Sequence, residues 1–169
     1  MRLLISLLLP VFLLACTSGT GYRYPTGPTA LPVLSSVTLN ATFDIRPDRA
    51  SEYIQYGRIK PYNRIVEYYP HCIFELRTVS AAARSVAPET FAVTAIRRDR
   101  FMAGYRKIMV AGNGGDYNPV MSITQISLHS DTQPDVFRLT CRQLDEPYLA
   151  RHVSLEQMRD TLGELFTLQ

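Results

Sequence analysis

Tryptophan is absent from the 169-residue chain, and cysteine and histidine each occur only three times. The cysteines, Cys16, Cys72 and Cys141, form no Cys-x-x-Cys pair. That spacing argues against a thioredoxin-type redox pair or a zinc ribbon. Charge of one sign is also scarce: 18 Lys and Arg against 15 Asp and Glu leave +3. So weak a balance argues against a nucleic-acid partner. Rossmann fingerprint, phosphate loop and internal repeat are all missing, so no cofactor is expected. The apolar fraction is too high for a disordered chain.

What is present begins with a leader. Met1-Arg2 places one positive charge before an apolar stretch, Leu3 to Ala15, that ends at a small residue and Cys16. This is the plan of a signal peptide, and the stretch is shorter than the roughly 20 residues a membrane-spanning helix needs. Leu13-Leu14-Ala15-Cys16 resembles the lipobox of bacterial lipoproteins, with Leu14 where that motif more often carries a small residue. The resemblance covers these leading residues alone and identifies no family for residues 37–169. It implies cleavage before Cys16 and lipidation of that cysteine, with acyl chains such as palmitate on it. With Thr17 in place of an Asp, it also implies retention at the outer membrane, facing the periplasm. One acyl chain holds a protein to a bilayer only marginally, whereas several make the attachment lasting.

Assigning Cys16 to lipid leaves Cys72 and Cys141 for a disulfide in an oxidising compartment. Both fall on the inward phase of the strands expected around them, which supports the pairing. The expected organisation is a signal peptide over 1–15, a lipid anchor and flexible linker over 16–36, and a single β-rich domain over 37–169. Residues 17–36 are rich in Gly, Pro, Ser and Thr, the composition of a tether, although Leu31-Pro32-Val33-Leu34 could dock on the domain.

Alternation then sets in. Val37, Leu39, Ala41, Phe43 and Ile45 interleave with polar residues, which predicts a half-buried strand closed by Pro47. Tyr53 to Ile59 reads as a weaker strand with Gly57 as a bulge. Tyr68 to Val79 puts Cys72, Phe74 and Leu76 on one face. Phe91, Val93 and Ala95 alternate, and so do Phe137, Leu139 and Cys141. From Met121 to Leu128 the apolar phase slips between Ile123 and Ile126, which suggests a bulge near Gln125. Ser154 followed by Gln157 is a capping box, and Leu155, Met158, Leu162, Leu165 and Phe166 recur at helical spacing. The pattern predicts a mainly β fold: a small antiparallel sandwich or open barrel of six to seven strands with a C-terminal amphipathic helix.

Candidate chemistry is thin. His129-Ser130-Asp131 holds the letters of a catalytic triad, but neighbours on a strand point to opposite faces. His129 and Asp131 share a face without a third ligand at diagnostic spacing, so no metal site is expected. Gly112 to Pro119 reads as a mobile turn. The richest stretch is Arg97 to Asn118, where Arg97, Arg98, Arg100, Phe101, Tyr105, Arg106 and Lys107 combine forked cations with aromatic area. It suggests contact with a protein partner, an acidic envelope glycan or a lipid phosphate; an extra hairpin with solvated charges is the plainer reading. Tyr53, Tyr56, Tyr62, Asn63, Tyr68 and Tyr69 form a second candidate surface. The functional expectation is a non-catalytic lipoprotein, tethered to the outer membrane as a binding or accessory module of an envelope assembly. An envelope hydrolase or a carrier of a small hydrophobic ligand are the alternatives.

Overall fold

The computed structural model describes residues 34–103 and 118–169. The expected signal peptide, Cys16, most of the expected linker, Tyr105, Arg106, Lys107 and most of the turn expected from Gly112 to Pro119 lie outside the described residues. Within them the fold is mainly β: a curled antiparallel sheet, a half-barrel, with one short C-terminal helix.

Eight strands build the main sheet. In chain order they are β1 (Ser36–Leu39), β3 (Arg49–Gln55), β4 (Arg58–Lys60), β5 (His71–Ser80), β7 (Glu89–Met102), β8 (Val120–His129), β9 (Val136–Asp145) and β10 (Phe166–Leu168). They lie side by side as β10-β1-β7-β8-β9-β5-β3-β4. The remaining two, β2 (Phe43–Ile45) and β6 (Arg84–Val86), pair with each other. Helix α1 (Leu155–Leu162) packs on the side of the sheet that carries the core. Among the described residues there are therefore ten strands where six or seven were expected, because several alternating runs are cut by turns.

The run from Val37 to Ile45 is cut at Asn40. Its backbone N–H donates to the Leu165 carbonyl at 3.0 Å, and its Nδ2 donates to the Glu164 carbonyl at 2.9 Å. The chain leaves the main sheet there, yet Phe43 and Ile45 remain buried because the small sheet closes over the same core. Tyr53 to Ile59 is a hairpin rather than one bulged strand. Tyr56 (φ 57°) and Gly57 (φ 69°) form its two-residue loop, and positive φ at both places is the signature of a type I′ turn.

The phase slip in β8 also has another cause. Pairing of β8 with β9 runs without interruption from Val120↔Asp145 to Ser127↔Arg138, so Gln125 sits in no bulge. The irregularity lies in β7, between Val93 and Ala95. It turns Ala95 outward and brings Ile96 onto the core.

The core face is centred on Phe43, Phe74, Phe91 and Phe166, whose rings stand 5.1 to 6.2 Å apart in successive contacts. Met158 and Leu162 of α1 press onto it, fully buried. The capping box forms as expected: the Gln157 N–H donates to Ser154 Oγ at 3.2 Å, and the Ser154 N–H donates to Gln157 Oε1 at 2.9 Å. The helix is shorter than its apolar spacing suggests, because Phe166 belongs to β10, paired with Leu39 of β1. Leu34, on the linker side of the expected boundary at residue 36, is buried in the same core.

Cys72 of β5 and Cys141 of β9 are directly opposite each other and joined by a disulfide, with Cα atoms 4.0 Å apart. Both are fully buried on the inward phase read from the alternation.

Candidate functional site

Residues directly opposite on neighbouring strands share a face of the sheet, so register fixes what each side presents. One row across β7, β8 and β9, Ile96–Ile126–Leu139, continues to Phe74 of β5 and belongs to the apolar core. Two residues further along β7 the chemistry changes. The next row is Arg98–Thr124–Cys141, and the one after is Arg100–Ser122–Gln143. A last row, Met102–Val120–Asp145, ends the sheet. The inward face thus passes from hydrocarbon to guanidinium, hydroxyl and amide within one strand's length.

Ser122 and Thr124 are 0 % exposed, and neither hydroxyl has a hydrogen-bond partner among the described residues. Arg100 Nε and His152 Nδ1 are likewise buried without a partner. His152 comes from the segment that crosses this face toward α1, between Ala150 and Val153, both buried. Burial, followed by the charges of Arg100 and Arg98, holds its pKa below the usual histidine value. Arg98 is itself held down by burial and by the Arg100 charge beside it. Arg98 and Arg100 stand at alternate positions on one inward face, where like charges repel.

Beside this polar end, a cleft of about 520 Å³ is lined by Gln143, Asp145, Leu149, Arg151, His152 and neighbouring residues at the start of α1. Burial is the main influence on the Asp145 carboxyl and raises its pKa; the Arg151 backbone and charge partly oppose it.

The expected binding cluster is divided by strand alternation. Arg98 and Arg100 face inward, whereas Arg97, opposite Gln125, and Phe101, opposite Met121, are exposed on the convex side. Ser122, Thr124, Asp145 and His152 were not expected to take part. The signal for the first two was the phase slip itself, which read as a bulge because inward positions were assumed apolar.

The convex face carries the tyrosine surface. Gln55, fully buried, donates from Nε2 to the Val66 carbonyl at 2.9 Å and accepts from the Val66 N–H at 3.2 Å, which fastens the 61–70 loop over the sheet. Tyr53 stacks under Tyr62 at 5.2 Å, with the Arg142 guanidinium 5.7 Å from its ring centre. Tyr56, Tyr62, Tyr68 and Tyr69 remain exposed. His71, also fully buried, accepts at Nε2 from Arg142 Nε at 2.9 Å, so its Nδ1–H donates to the Tyr69 carbonyl at 3.1 Å.

The His129 and Asp131 side chains meet at 3.2 Å in an exposed turn, while Ser130 turns away to donate to Glu89 Oε1 at 2.6 Å. The three therefore form no relay. Among the described residues, no group of three His, Cys, Asp or Glu is placed to hold a metal ion, and no helix is long and apolar enough to cross a membrane. Comparison with family models, with curated proteins and with solved structures finds no match.

Proposed function

We propose that the protein is an outer-membrane lipoprotein, anchored through acyl chains on Cys16 and facing the periplasm. Its β domain serves as a non-catalytic binding or accessory module for an envelope partner. The lipobox-like Leu13-Leu14-Ala15-Cys16 supports the anchor, and the Cys72–Cys141 disulfide suits the oxidising compartment that such an anchor implies.

The observation that carries the binding role is the pair of inward rows holding Arg98, Thr124, Arg100 and Ser122, which end beside the cleft that Gln143, Asp145 and His152 line. It gathers donors and positive charge where a core would otherwise continue. Binding is favoured over hydrolysis because His152 Nδ1 and the Ser122 and Thr124 hydroxyls are not hydrogen-bonded to one another, so no base is coupled to a nucleophile there.

Metabolic labelling with a fatty-acid analogue tests the anchor: the parent chain takes up label and Cys16→Ser does not. Equal labelling of the two overturns it. Crosslinking in the native envelope tests the binding role. A partner adduct is expected that is lost in Arg98→Glu/Arg100→Glu, and an adduct unchanged by those substitutions refutes the assignment of the site.

A further inference from the structure

The small net charge hides a division between the two sides of the molecule. On α1 and just after it, Glu156, Asp160 and Glu164 are exposed, with Arg159 the one cation among them. On the convex side the balance reverses. Arg58 and Lys60 of β4, Arg64 of the 61–70 loop and Arg142 of β9 flank the tyrosines, and none of them is paired with a carboxylate among the described residues. The convex row Lys60–Tyr53–Ile73–Thr140–Gln125–Arg97 crosses the sheet without an acid. In the row on one side of it, Asp99 stands at the far end, on β7; in the row on the other, Glu75 is held by Arg138 at 2.8 Å.

Beside these cations the 61–70 loop holds a groove of about 350 Å³, lined among others by Tyr62, Asn63, Val66, Glu67 and Tyr68. Its size is that of a small-ligand site. The Tyr62 and Tyr68 rings are exposed there, and the exposed Asn63 amide offers both donors and an acceptor. Glu67 Oε1 accepts from the Tyr62 hydroxyl at 2.8 Å, which leaves Oε2 without a donor among the described residues. The groove thus combines aromatic faces and free acceptors with a rim of unpaired positive charge. A lipid surface fits it less well, because insertion calls for projecting apolar groups, whereas the aliphatics here, Ile65 and Val66, line a concavity.

We propose that the convex face binds an acidic glycan, its sugar rings in the groove against Tyr62 and Tyr68 and its carboxylates on Arg64, Lys60 and Arg142. Charge complementarity selects an anion, and the acceptors of Glu67 and Asn63 select one that carries hydroxyls. The apolar C–H faces of the sugar rings lie on tyrosine, which is suited to a contact dry on one side and wet on the other. This surface is on the opposite side of the sheet from Arg98 and Arg100, and goes beyond the binding reading given above.

The test is a calorimetric titration of the full chain in a non-ionic detergent, with trigalacturonate as the probe and its methyl ester as the uncharged form. Saturable binding of trigalacturonate is expected, weakened by about tenfold or more on esterification. Arg64→Gln and Asn63→Ala should each lower affinity severalfold at an unchanged melting temperature, because both side chains are exposed. Tyr68→Ala removes a stacking face and is expected to weaken the acid and its ester alike. Two further titrants stand for the competing partners: hexaglutamate for an acidic peptide, and dihexanoyl phosphatidylglycerol for an anionic lipid. Either one binding as tightly as trigalacturonate overturns the proposal. So does the absence of heat with trigalacturonate, or an affinity untouched by esterification or by Arg64→Gln and Asn63→Ala together. An envelope adduct that still depends on Arg98 and Arg100 through such a failure leaves the binding module standing and removes only the glycan.

Discussion

Gly57, in the turn between β3 and β4, and Gly163, at the C-terminal end of α1, touch backbone to backbone. A Cβ placed on Gly163 would lie 2.8 Å from the Gly57 Cα. Both have positive φ, and the Gly57 N–H donates to the Thr161 carbonyl at 2.9 Å. The helix and the last hairpin of the sheet are locked where neither can carry a side chain. Gly163 is the more demanding place, because φ 56° with ψ −138° is a region open to glycine alone. Gly163→Ala adds that strain to a clash and is expected to cost about 3 kcal/mol, lowering the melting temperature by about 10 °C. Gly57→Ala meets Gly163 only at 3.5 Å and carries a milder left-handed φ. A cost of about 1 kcal/mol follows. Thermal melts of the two variants check the order.

The other residue of that turn is a tyrosine in a conformation that asparagine adopts at less cost. Tyr56 has φ 57°, is exposed, and holds the Lys60 ammonium 4.7 Å above its ring. Tyr56→Asn restores the preferred Asn-Gly pair of a type I′ hairpin and should raise stability by about 0.5–1 kcal/mol. Urea unfolding reads that gain. If the exposed ring contacts the envelope partner, the same variant recovers less crosslinked adduct despite its greater stability.

How much of this was legible in the sequence depends on one assumption, that inward residues are apolar. Where it holds, alternation put Cys72 and Phe74 in one strand and Leu139 and Cys141 in another on inward phases, in agreement with the pairing that remains once Cys16 is assigned to lipid. The capping box at Ser154 was readable because its chemistry is local. Where the assumption fails, the reading slips: Ser122 and Thr124 occupy inward places, and the resulting phase change looked like a bulge in the wrong strand. Two further features arise from contacts distant in sequence. Asn40 diverts the first strand by bonding to residues near 165, and Phe166 leaves the helical pattern because β1 offers it an edge. The arginine cluster was visible as a cluster, but only register separates the inward Arg98 and Arg100 from the outward Arg97 and Phe101.

Acid should weaken the fold through His71. Its pKa is lowered chiefly by burial, with the Arg142 charge adding to this, while the Tyr69 carbonyl and the Glu67 charge pull it back. A proton on Nε2 would face the Arg142 N–H, which already uses that nitrogen as its acceptor. The unfolded chain therefore binds this proton at a higher pH than the folded one. Stability is fully present above the ordinary histidine pKa of about 6.5 and is lost as pH falls through the lowered folded value. His152 is shifted in the same direction. The expected loss approaches about 1.4 kcal/mol per pH unit for each proton. Urea midpoints between about pH 7 and 5, compared among parent, His71→Gln and His152→Gln, should show a shallower slope in each variant.

Reduction should cost more than any of these changes. The Cys72–Cys141 bond closes a separation of 69 residues between adjacent central strands. The chain-entropy treatment assigns such a loop about 4 kcal/mol. Cys72→Ala/Cys141→Ala is expected to lose most of that amount, with a further penalty for the space left by two fully buried sulfurs. Denaturant unfolding of the parent with and without reductant, beside the double variant, measures both contributions. A midpoint insensitive to reductant refutes the covalent contribution.

The pair Arg46–Glu52 offers a separate test of how a buried charge is held on the core side. Glu52 is fully buried and accepts from Arg46 Nε and Nη2, each at 2.6 Å, and from the Arg46 N–H at 3.1 Å. The arginine is half exposed, so solvent screens part of the attraction, and the pair itself contributes little net stability. Breaking it is a different matter. Arg46→Met leaves the carboxylate in apolar surroundings with only a backbone donor, which should cost about 2 kcal/mol after allowance for that screening. Replacing both residues, as Arg46→Met/Glu52→Leu, removes the stranded charge and should recover most of the loss. The sign of the coupling in this double-mutant cycle is the decisive reading. A double variant no more stable than Arg46→Met would mean that the ion pair fixes the β2–β3 connection by its geometry rather than by balancing a buried charge.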